Sequence, residues 1–238
     1  MGKLVIVCNG ESVWDSRNLL TGWVDVALTG RGIQEAAFAS RIIGPIAYDA
    51  VYTSNLVRTI QTSLVLMLNN QDIVTPIIES HGFLSGKRSI IHNDSIRLST
   101  VKIKQTWRLN ERFFGKMQGY SIDQIVAQYG IDNLNKWRYS YYERPPRGES
   151  LVDVERRVRP FLRRKILSKM HLGKNVLVVS HNSTVRAMIR IIENLSPEEA
   201  MKLDIRTSKP FIYEFSSGKP IRLPLPKIEE RAMGMPGR

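Results

Sequence analysis

The sequence predicts an α/β domain of three layers, with helices on both faces of a mostly parallel sheet. Short apolar runs of the kind found in buried parallel strands alternate with segments whose apolar residues recur at helical spacing. The strands predicted in this way cover residues 4–8, 50–53, 175–180 and 211–215. A chain of 238 residues with 42% hydrophobic and 24% charged residues is long enough to bury one core of this kind.

Helices are predicted between these strands. They cover residues 31–43, 55–68, 121–129, 132–140 and 149–167, followed by one more helix after residue 180. Thr29 can cap the first helix, and Pro160 is expected to kink the helix over 149–167. Residues 79–102 are polar and rich in turn residues, which predicts an excursion from the core. We expect one domain over residues 1–218 and a Pro-rich, basic tail over 219–238 that forms no packed element.

Charge is the unusual feature of the composition. Lys and Arg number 35 against 22 Asp and Glu, for a net charge of +13. Between Arg138 and Arg190, 13 Lys and Arg residues face four Asp and Glu residues. This excess favours a polyanionic neighbour such as RNA or an acidic protein surface, and a merely solvated basic surface is an equally weighted alternative.

Several classes of protein are excluded by simple counts. No apolar run reaches 18 residues, so we expect no membrane insertion. Cys8 is the single cysteine, which excludes an internal disulfide and suits a reducing compartment. No cleavable targeting segment is recognisable at the N-terminus, and we expect an intracellular protein of the cytoplasm or the mitochondrial matrix.

The strand ends point to the site. Working sites of such folds lie beyond the carboxyl ends of the parallel strands. Polar side chains that can carry chemistry follow two of the predicted strands, in Cys8-Asn9-Gly10-Glu11-Ser12 and in Ser180-His181-Asn182-Ser183. We therefore expect these two segments to meet at one edge of the sheet.

Several further motifs carry a resemblance. They are residues 18–26 (Asn-Leu-Leu-Thr-Gly-Trp-Val-Asp-Val), 52–54 with 58–62, 107–112 (Trp-Arg-Leu-Asn-Glu-Arg), 148–151 and 178–181. Together these motifs resemble the cofactor-dependent phosphoglycerate mutases, which have the histidine phosphatase fold. The resemblance implies that His181 and Glu111 occupy catalytic positions. It also implies a phosphate pocket formed by Thr21, Gly22, Arg58, Arg112, Arg138 and Asn182. No metal or other cofactor is expected.

The resemblance fails at the nucleophile. The family reads Arg-His-Gly-Glu after its first strand, and the histidine accepts the phosphoryl group, whereas this chain reads Cys8-Asn9-Gly10-Glu11. An amide nitrogen is not basic, so Asn9 cannot form such an intermediate. Further polar family positions are occupied by Ile122, Tyr139 and Phe114. We therefore expect no mutase activity.

Two other chemical possibilities are weaker. Thiol phosphatases place an arginine six residues after the cysteine, where this chain has Trp14, so a small buried residue is the better interpretation of Cys8. The spacing of His81, His92 and Asp94 matches no strong metal template, so a solvated loop is predicted there.

These observations lead to a functional expectation with alternatives. The leading one is a catalytically inactive structural or interaction subunit of a larger assembly with protein partners, RNA-containing or mitochondrial. Its docking residues would be Arg156, Arg159 and Arg163, on the solvent side of the helix over 149–167. The alternative is a residual phosphatase or mutase using His181 and Glu111, and a third hypothesis is direct RNA binding through the Arg-rich helix.

Overall fold

The computed structural model describes residues 2–68, 74–79, 90–216 and 218–225. In these residues seven strands form one sheet in the order β3-β4-β2-β5-β1-β6-β7. The strands are β1 Lys3–Cys8, β2 Ala50–Thr53, β3 Thr75–Ile78, β4 Thr100–Gln105, β5 Val176–Ser180, β6 Pro210–Ser216 and β7 Lys219–Arg222. The pairs from β3 to β1 are parallel, and β6 and β7 are antiparallel. The predicted mostly parallel α/β fold is confirmed.

Helices cover both faces of this sheet. They are α1 Gly30–Ile43, α2 Val57–Leu66, α3 Asp94–Leu98, α4 Ile122–Tyr129, α5 Ile131–Tyr139, α6 Leu151–Phe161, α7 Ser168–His171, α8 Asn182–Glu193 and α9 Pro197–Met201. Successive residues of β1 point to opposite faces. Leu4 and Ile6 therefore pack with α6 and α8 in one apolar cluster, while Val5 and Val7 pack with α1 and α2 in another. This alternation produces the three layers.

Local signals set the helix boundaries. The Thr29 hydroxyl accepts a hydrogen bond from the Gly32 amide at 3.0 Å and caps α1, as predicted. Ser150 and Asp153 form a reciprocal capping box at the start of α6. Pro160 lies inside α6, and the chain continues as a π-helix over Leu162–Leu167 before α7. The distortion that was expected at Pro160 is thus a widened helical turn, since proline removes a backbone donor.

Two glycines allow β1 and α1 to approach each other closely. A Cβ atom on Gly10 would overlap the backbone carbonyl of Gly32, and one on Gly32 would overlap the carbonyl of Glu11. The Thr29 amide donates to that same Glu11 carbonyl at 2.9 Å. The loop after β1 is therefore held directly against the first turn of α1.

The prediction of an unpacked tail from Lys219 is wrong at its start. Lys219–Arg222 form edge strand β7, which pairs with β6 from Ser216 opposite Lys219 to Tyr213 opposite Arg222. Pro220 is compatible with this position because an edge strand leaves backbone donors unpaired on one side. Residues 226–238 of the predicted tail lie outside the described residues.

The predicted polar excursion at 79–102 contains regular structure. Helix α3 and the first residues of β4 fall within it, and Val101 and Ile103 are buried in the sheet. Residues 80–89, with His81, lie outside the described residues. His92 is exposed, and Asp94 forms an ion pair with Arg97 at 2.7 Å. No described helix is long and apolar enough to cross a membrane.

Candidate active site

A pocket of about 560 Å³ opens at the carboxyl ends of β1 and β5. Gly10, Glu11 and Ser12 of the segment after β1 do not line this pocket. Asn9 and all the residues predicted for catalysis and phosphate binding do: Thr21, Gly22, Arg58, Glu111, Arg112, Arg138, His181 and Asn182. They come from segments far apart in the sequence, and the parallel arrangement of β1, β5 and β2 brings them together. The pocket is thus the expected site, and its chemistry depends on how each group is held.

Asn9 lies just beyond β1 and is nearly buried, with 5% of its surface exposed. Its backbone amide donates to the Ser180 carbonyl at 2.8 Å. Its side-chain nitrogen donates to the Gly10 carbonyl at 2.7 Å, which fixes the orientation of the amide. A carboxamide nitrogen has no available lone pair, and the oxygen is a hydrogen-bond acceptor. Asn9 can therefore orient a bound molecule, but it cannot accept a phosphoryl group on nitrogen.

His181 precedes α8 and is 1% exposed. Its Nε2 lies 2.8 Å from the Ser54 hydroxyl, which is itself 2.8 Å from the Thr59 hydroxyl. Burial lowers the pKa of His181 well below its usual value, and the positive charges of Arg58 and Arg157 lower it further. The imidazole is therefore neutral at pH 7.

Glu111 is held by backbone donors on both sides. Its Oε1 accepts from the Ser183 amide at 3.2 Å, in the first turn of α8, and from the Arg112 amide at 2.6 Å. Its backbone carbonyl accepts from the Trp23 ring nitrogen at 2.5 Å. The carboxyl group lines the pocket in this fixed position. A carboxyl group placed in this way can transfer a proton to or from a bound molecule.

Arg58 contributes a buried guanidinium at the start of α2. It donates to the carbonyls of Gly22 and Val24 at 2.8 and 2.9 Å, which ties α2 to the loop after β1. Burial lowers the pKa of Arg58, and the negative charge of Glu111 opposes that shift. Gly22 has a φ of +54°, a conformation that favours glycine.

Two further predicted cations reach the pocket from the other side. Arg112 donates to the Trp137 carbonyl at 2.9 Å and lies over the Phe114 ring at 4.8 Å. Its buried Nε has no hydrogen-bond partner in the described part of the chain. Arg138 is exposed and lies 5.6 Å from the centre of the Tyr139 ring. Arg112 is the fixed cation of the pair, and Arg138 is the solvent-facing one.

Thr21 and Asn182 are held mainly by the fold. The Thr21 hydroxyl donates to the Leu19 carbonyl at 3.4 Å. The side-chain nitrogen of Asn182 donates to the Ile205 carbonyl at 2.8 Å, although the residue is exposed. Both still line the pocket.

Of the positions where the chain departs from the family pattern, Cys8, Phe114 and Tyr139 line the pocket, whereas Ile122 packs in the small apolar cluster around Met117. Burial raises the pKa of the Cys8 thiol well above its usual value, and the carboxylates of Glu111 and Asp15 raise it further. A protonated, buried thiol is a poor nucleophile. The position of Cys8 fits its interpretation as a small buried residue.

Sequence reasoning missed two arginines. Arg186 lines the pocket from the second turn of α8 and donates to the carbonyls of Ala200, Met201 and Leu203. Arg157 lies behind the site and donates to the Glu111 carbonyl at 2.9 Å. Arg186 follows Asn182 by one helical turn, which is a sequence signal that could have found it. Arg157 lies between two arginines that were assigned to the solvent face, and its burial is decided by packing.

The three arginines predicted as an interaction surface lie outside the pocket and differ from one another. Arg156 is exposed and pairs with Asp153 at 3.1 Å. Arg159 was predicted to project from the solvent side, and this is wrong: it is half-buried and ion-paired with Glu155, one helical turn earlier. Arg163 is exposed, with no carboxylate within ion-pair distance among the described residues.

Comparisons with known proteins identify the relatives of this chain. The model of the histidine phosphatase superfamily (branch 1) matches residues 4–82 and 92–223. A 2,3-bisphosphoglycerate-dependent phosphoglycerate mutase of Chlamydia pneumoniae is 36% identical over 219 residues, which cover 92% of this chain and 96% of that protein. A protein of the same name from Methanococcus vannielii is 37% identical, covering 90% of each chain.

A solved structure supports the same fold. The mycobacterial glucosyl-3-phosphoglycerate phosphatase in complex with VO3 superposes with a TM-score of 0.70 at 20% identity, covering 93% of this chain and 97% of that one. Similarity at this identity bears on the fold alone.

These relatives overturn the leading functional expectation. A catalytically inactive structural subunit was predicted, whereas relatives at 36–37% identity over nine-tenths of the chain are named as mutases. The prediction gave the loss of one nucleophile more weight than the retained pocket, which still brings Glu111, His181 and Arg58 together. The comparisons favour the alternative, a phosphatase or mutase.

Proposed function

The chain belongs to the histidine phosphatase superfamily, and from this premise we propose that it is a phosphoryl-transfer enzyme acting on small phosphate monoesters of the phosphoglycerate type. The observation that carries the proposal is the convergence of a fixed carboxyl group and several guanidinium groups on one pocket. Glu111 supplies the proton-transfer group. Arg58, Arg112 and Arg186 supply positive charge for a molecule with two anionic groups.

One hydrogen-bond donor of a pocket arginine is left without a partner in the described part of the chain. Arg112 is nearly buried, yet its Nε has no partner among the described residues. A buried unpaired donor is costly unless a ligand satisfies it. A charge-assisted hydrogen bond to phosphate or carboxylate contributes about 1.5–3 kcal/mol. An anionic substrate would therefore gain affinity from Arg112.

We infer further that no phosphoryl group is carried by residue 9, where the family has its nucleophilic histidine. The nitrogen of Asn9 is committed to the Gly10 carbonyl, which leaves the amide oxygen to accept a hydrogen bond from water. In the step we propose, a water oxygen bonds to phosphorus while the ester P–O bond breaks. One proton of the water passes to a phosphoryl oxygen, while Glu111 transfers a proton to the leaving oxygen and regains one from solvent. The products are an alcohol and inorganic phosphate, so hydrolysis should exceed isomerisation.

His181 has a different part in this step. As a neutral imidazole it supplies hydrogen bonding in the pocket and no full charge. A phosphate dianion bound beside it would favour the imidazolium and raise its pKa. Substrate binding should therefore favour protonation of His181.

Phosphate release from 3-phosphoglycerate and 2,3-bisphosphoglycerate tests the proposed activity, with formation of 2-phosphoglycerate measured in parallel. Glu111→Gln should lower the rate about 10²-fold or more, because a neutral amide cannot transfer the proton. Arg156→Gln removes an exposed cation outside the pocket and should leave the rate unchanged. An inactive wild-type protein, or a fully active Glu111→Gln variant, would refute the proposal.

Labelling tests the assignment of Asn9 separately. After incubation with ³²P-labelled 2,3-bisphosphoglycerate, the wild-type protein should carry no acid-labile label. Asn9→His should acquire the label but gain little in turnover, because Cys8 still stands where the family has a phosphate-binding arginine. An acid-labile label on the wild-type protein would contradict a water nucleophile, even if phosphate is released.

A further inference from the structure

We propose that a stripe of exposed and half-buried cations, from the end of α6 through the π-helical turn and α7 to the loop before β5, binds single-stranded nucleic acid. This basic stripe consists of Arg159, Arg163, Arg164, Lys165, Lys169 and Lys174. None of these side chains lines the active-site pocket, so the proposed binding is separate from the chemistry there. The stripe lies in the region where the sequence has its largest local excess of Lys and Arg.

Charge compensation is incomplete along the stripe. Glu155 binds Arg159, and Asp49 binds Lys174 at 2.8 Å. In the part of the chain that the structure describes, Arg163, Arg164 and Lys165 are exposed and have no carboxylate within ion-pair distance. Three consecutive unpaired cations on one turn create a strong local positive potential, which attracts a polyanion.

Three cations of the stripe lie in a π-helical turn. Arg163, Arg164 and Lys165 belong to the turn Leu162–Leu167, in which Leu162 and Ile166 face the core. Such turns are rare and frequently occur at functional sites. From Arg159 to Lys169 the helical rise amounts to about 15 Å. A strand of B-DNA advances about 3.4 Å per phosphate, so this length spans several phosphates of one strand.

A mostly polar surface with a nearby aromatic ring favours a nucleic acid over an acidic protein. Protein interfaces have a broad apolar, desolvated centre, whereas Leu172 is the one large apolar side chain that is exposed from Arg159 to Lys174, a stretch that the structure describes throughout. Tyr142 is 63% exposed and packs edge-on against Tyr141, whose hydroxyl group binds Glu155 beside Arg159. An exposed aromatic ring at the end of a cation row can stack a base of a single strand.

Fluorescence anisotropy with a labelled 20-nucleotide oligouridylate tests the proposal. The variant Arg163→Gln/Arg164→Gln/Lys165→Gln should bind at least tenfold more weakly at 0.1 M salt, about the loss expected for three phosphate contacts. The magnitude of its log–log salt slope should fall by about 2. The control Lys102→Gln/Lys104→Gln/Lys116→Gln removes the same charge from three exposed lysines elsewhere and should bind nearly as the wild type.

Further arms separate the kinds of partner. Oligothymidylate of equal length shows whether DNA binds as well as RNA. Binding of either nucleic acid would support the proposal, because both carry the phosphate groups that the stripe is expected to contact. Tyr142→Ala should weaken single-strand binding roughly fivefold or more and leave duplex binding nearly unchanged. Equal losses in the stripe and control variants, absence of binding, or equally tight binding of polyglutamate would overturn the proposal. Thermal unfolding of each variant shows whether it is folded.

Discussion

Arg157 supports the site from behind, and a single substitution tests how much its hydrogen bonds contribute to stability. It is nearly buried on α6 and makes five hydrogen bonds. Two go to the Glu149 carboxylate at 2.9 and 3.0 Å, and three go to the carbonyls of Arg108, Asn110 and Glu111 at 2.7–2.9 Å. We expect Arg157→Met to destabilise the protein by about 3 kcal/mol, the low end of the cost of breaking a buried ion pair.

The magnitude follows from what the substitution leaves behind. The Glu149 carboxylate would lose both guanidinium contacts, but it keeps the Phe113 amide at 2.9 Å and is 20% exposed. The Asn110 carbonyl keeps the Thr184 hydroxyl at 2.6 Å. These remaining partners place the cost near the low end of the 3–5 kcal/mol range. Methionine fills much of the volume of the arginine stem, so a large cavity should not add to the loss.

Urea unfolding of the variants measures this cost. Arg156→Met is the matched control, since the neighbouring side chain is 71% exposed and its pair with Asp153 should contribute less than about 0.5 kcal/mol. Replacing both Glu149 and Arg157 by methionine should cost less than the sum of the two single changes, because no unpaired charge remains. A loss below about 1 kcal/mol for Arg157→Met, or equal losses at residues 156 and 157, would refute the reasoning.

Three further predictions concern single groups. Because the unfolded chain protonates His181 near pH 6.5 and the folded chain does so only well below that, stability should fall by up to about 1.4 kcal/mol per pH unit below 6.5. His181→Asn should remove this pH dependence of stability, whereas His92→Asn, at an exposed site, should leave it in place. Gly32→Ala should cost about 1–3 kcal/mol, because its Cβ would overlap a backbone carbonyl, whereas Gly30→Ala has open space and should be neutral or slightly stabilising. Cys8 should not react with a thiol reagent until urea unfolds the chain, because it is buried and protonated; rapid labelling of the folded protein would contradict its assigned environment.

Local sequence signals determined the central strands, most helices and the position of the site. The apolar runs of β1, β2 and β5 are buried on both faces, so they were recognisable without tertiary information. Strands β3, β4 and β7 were missed. They lie at the margins of the sheet, where burial is partial and polar residues such as Lys102 and Lys104 alternate with apolar ones.

The chemistry of the site depends on contacts between residues that are far apart in the sequence. Arg157 was indistinguishable from its neighbours by sequence, yet its bonds reach backbone groups 46 to 49 residues away and Arg156 remains in solvent. Likewise, the Asn9 substitution was visible in the sequence. The surviving pocket around it was decided by helices and loops that pack over β1, β2 and β5. Residue type and periodicity are local properties, whereas burial, ion pairing and pKa depend on which distant groups the fold brings together.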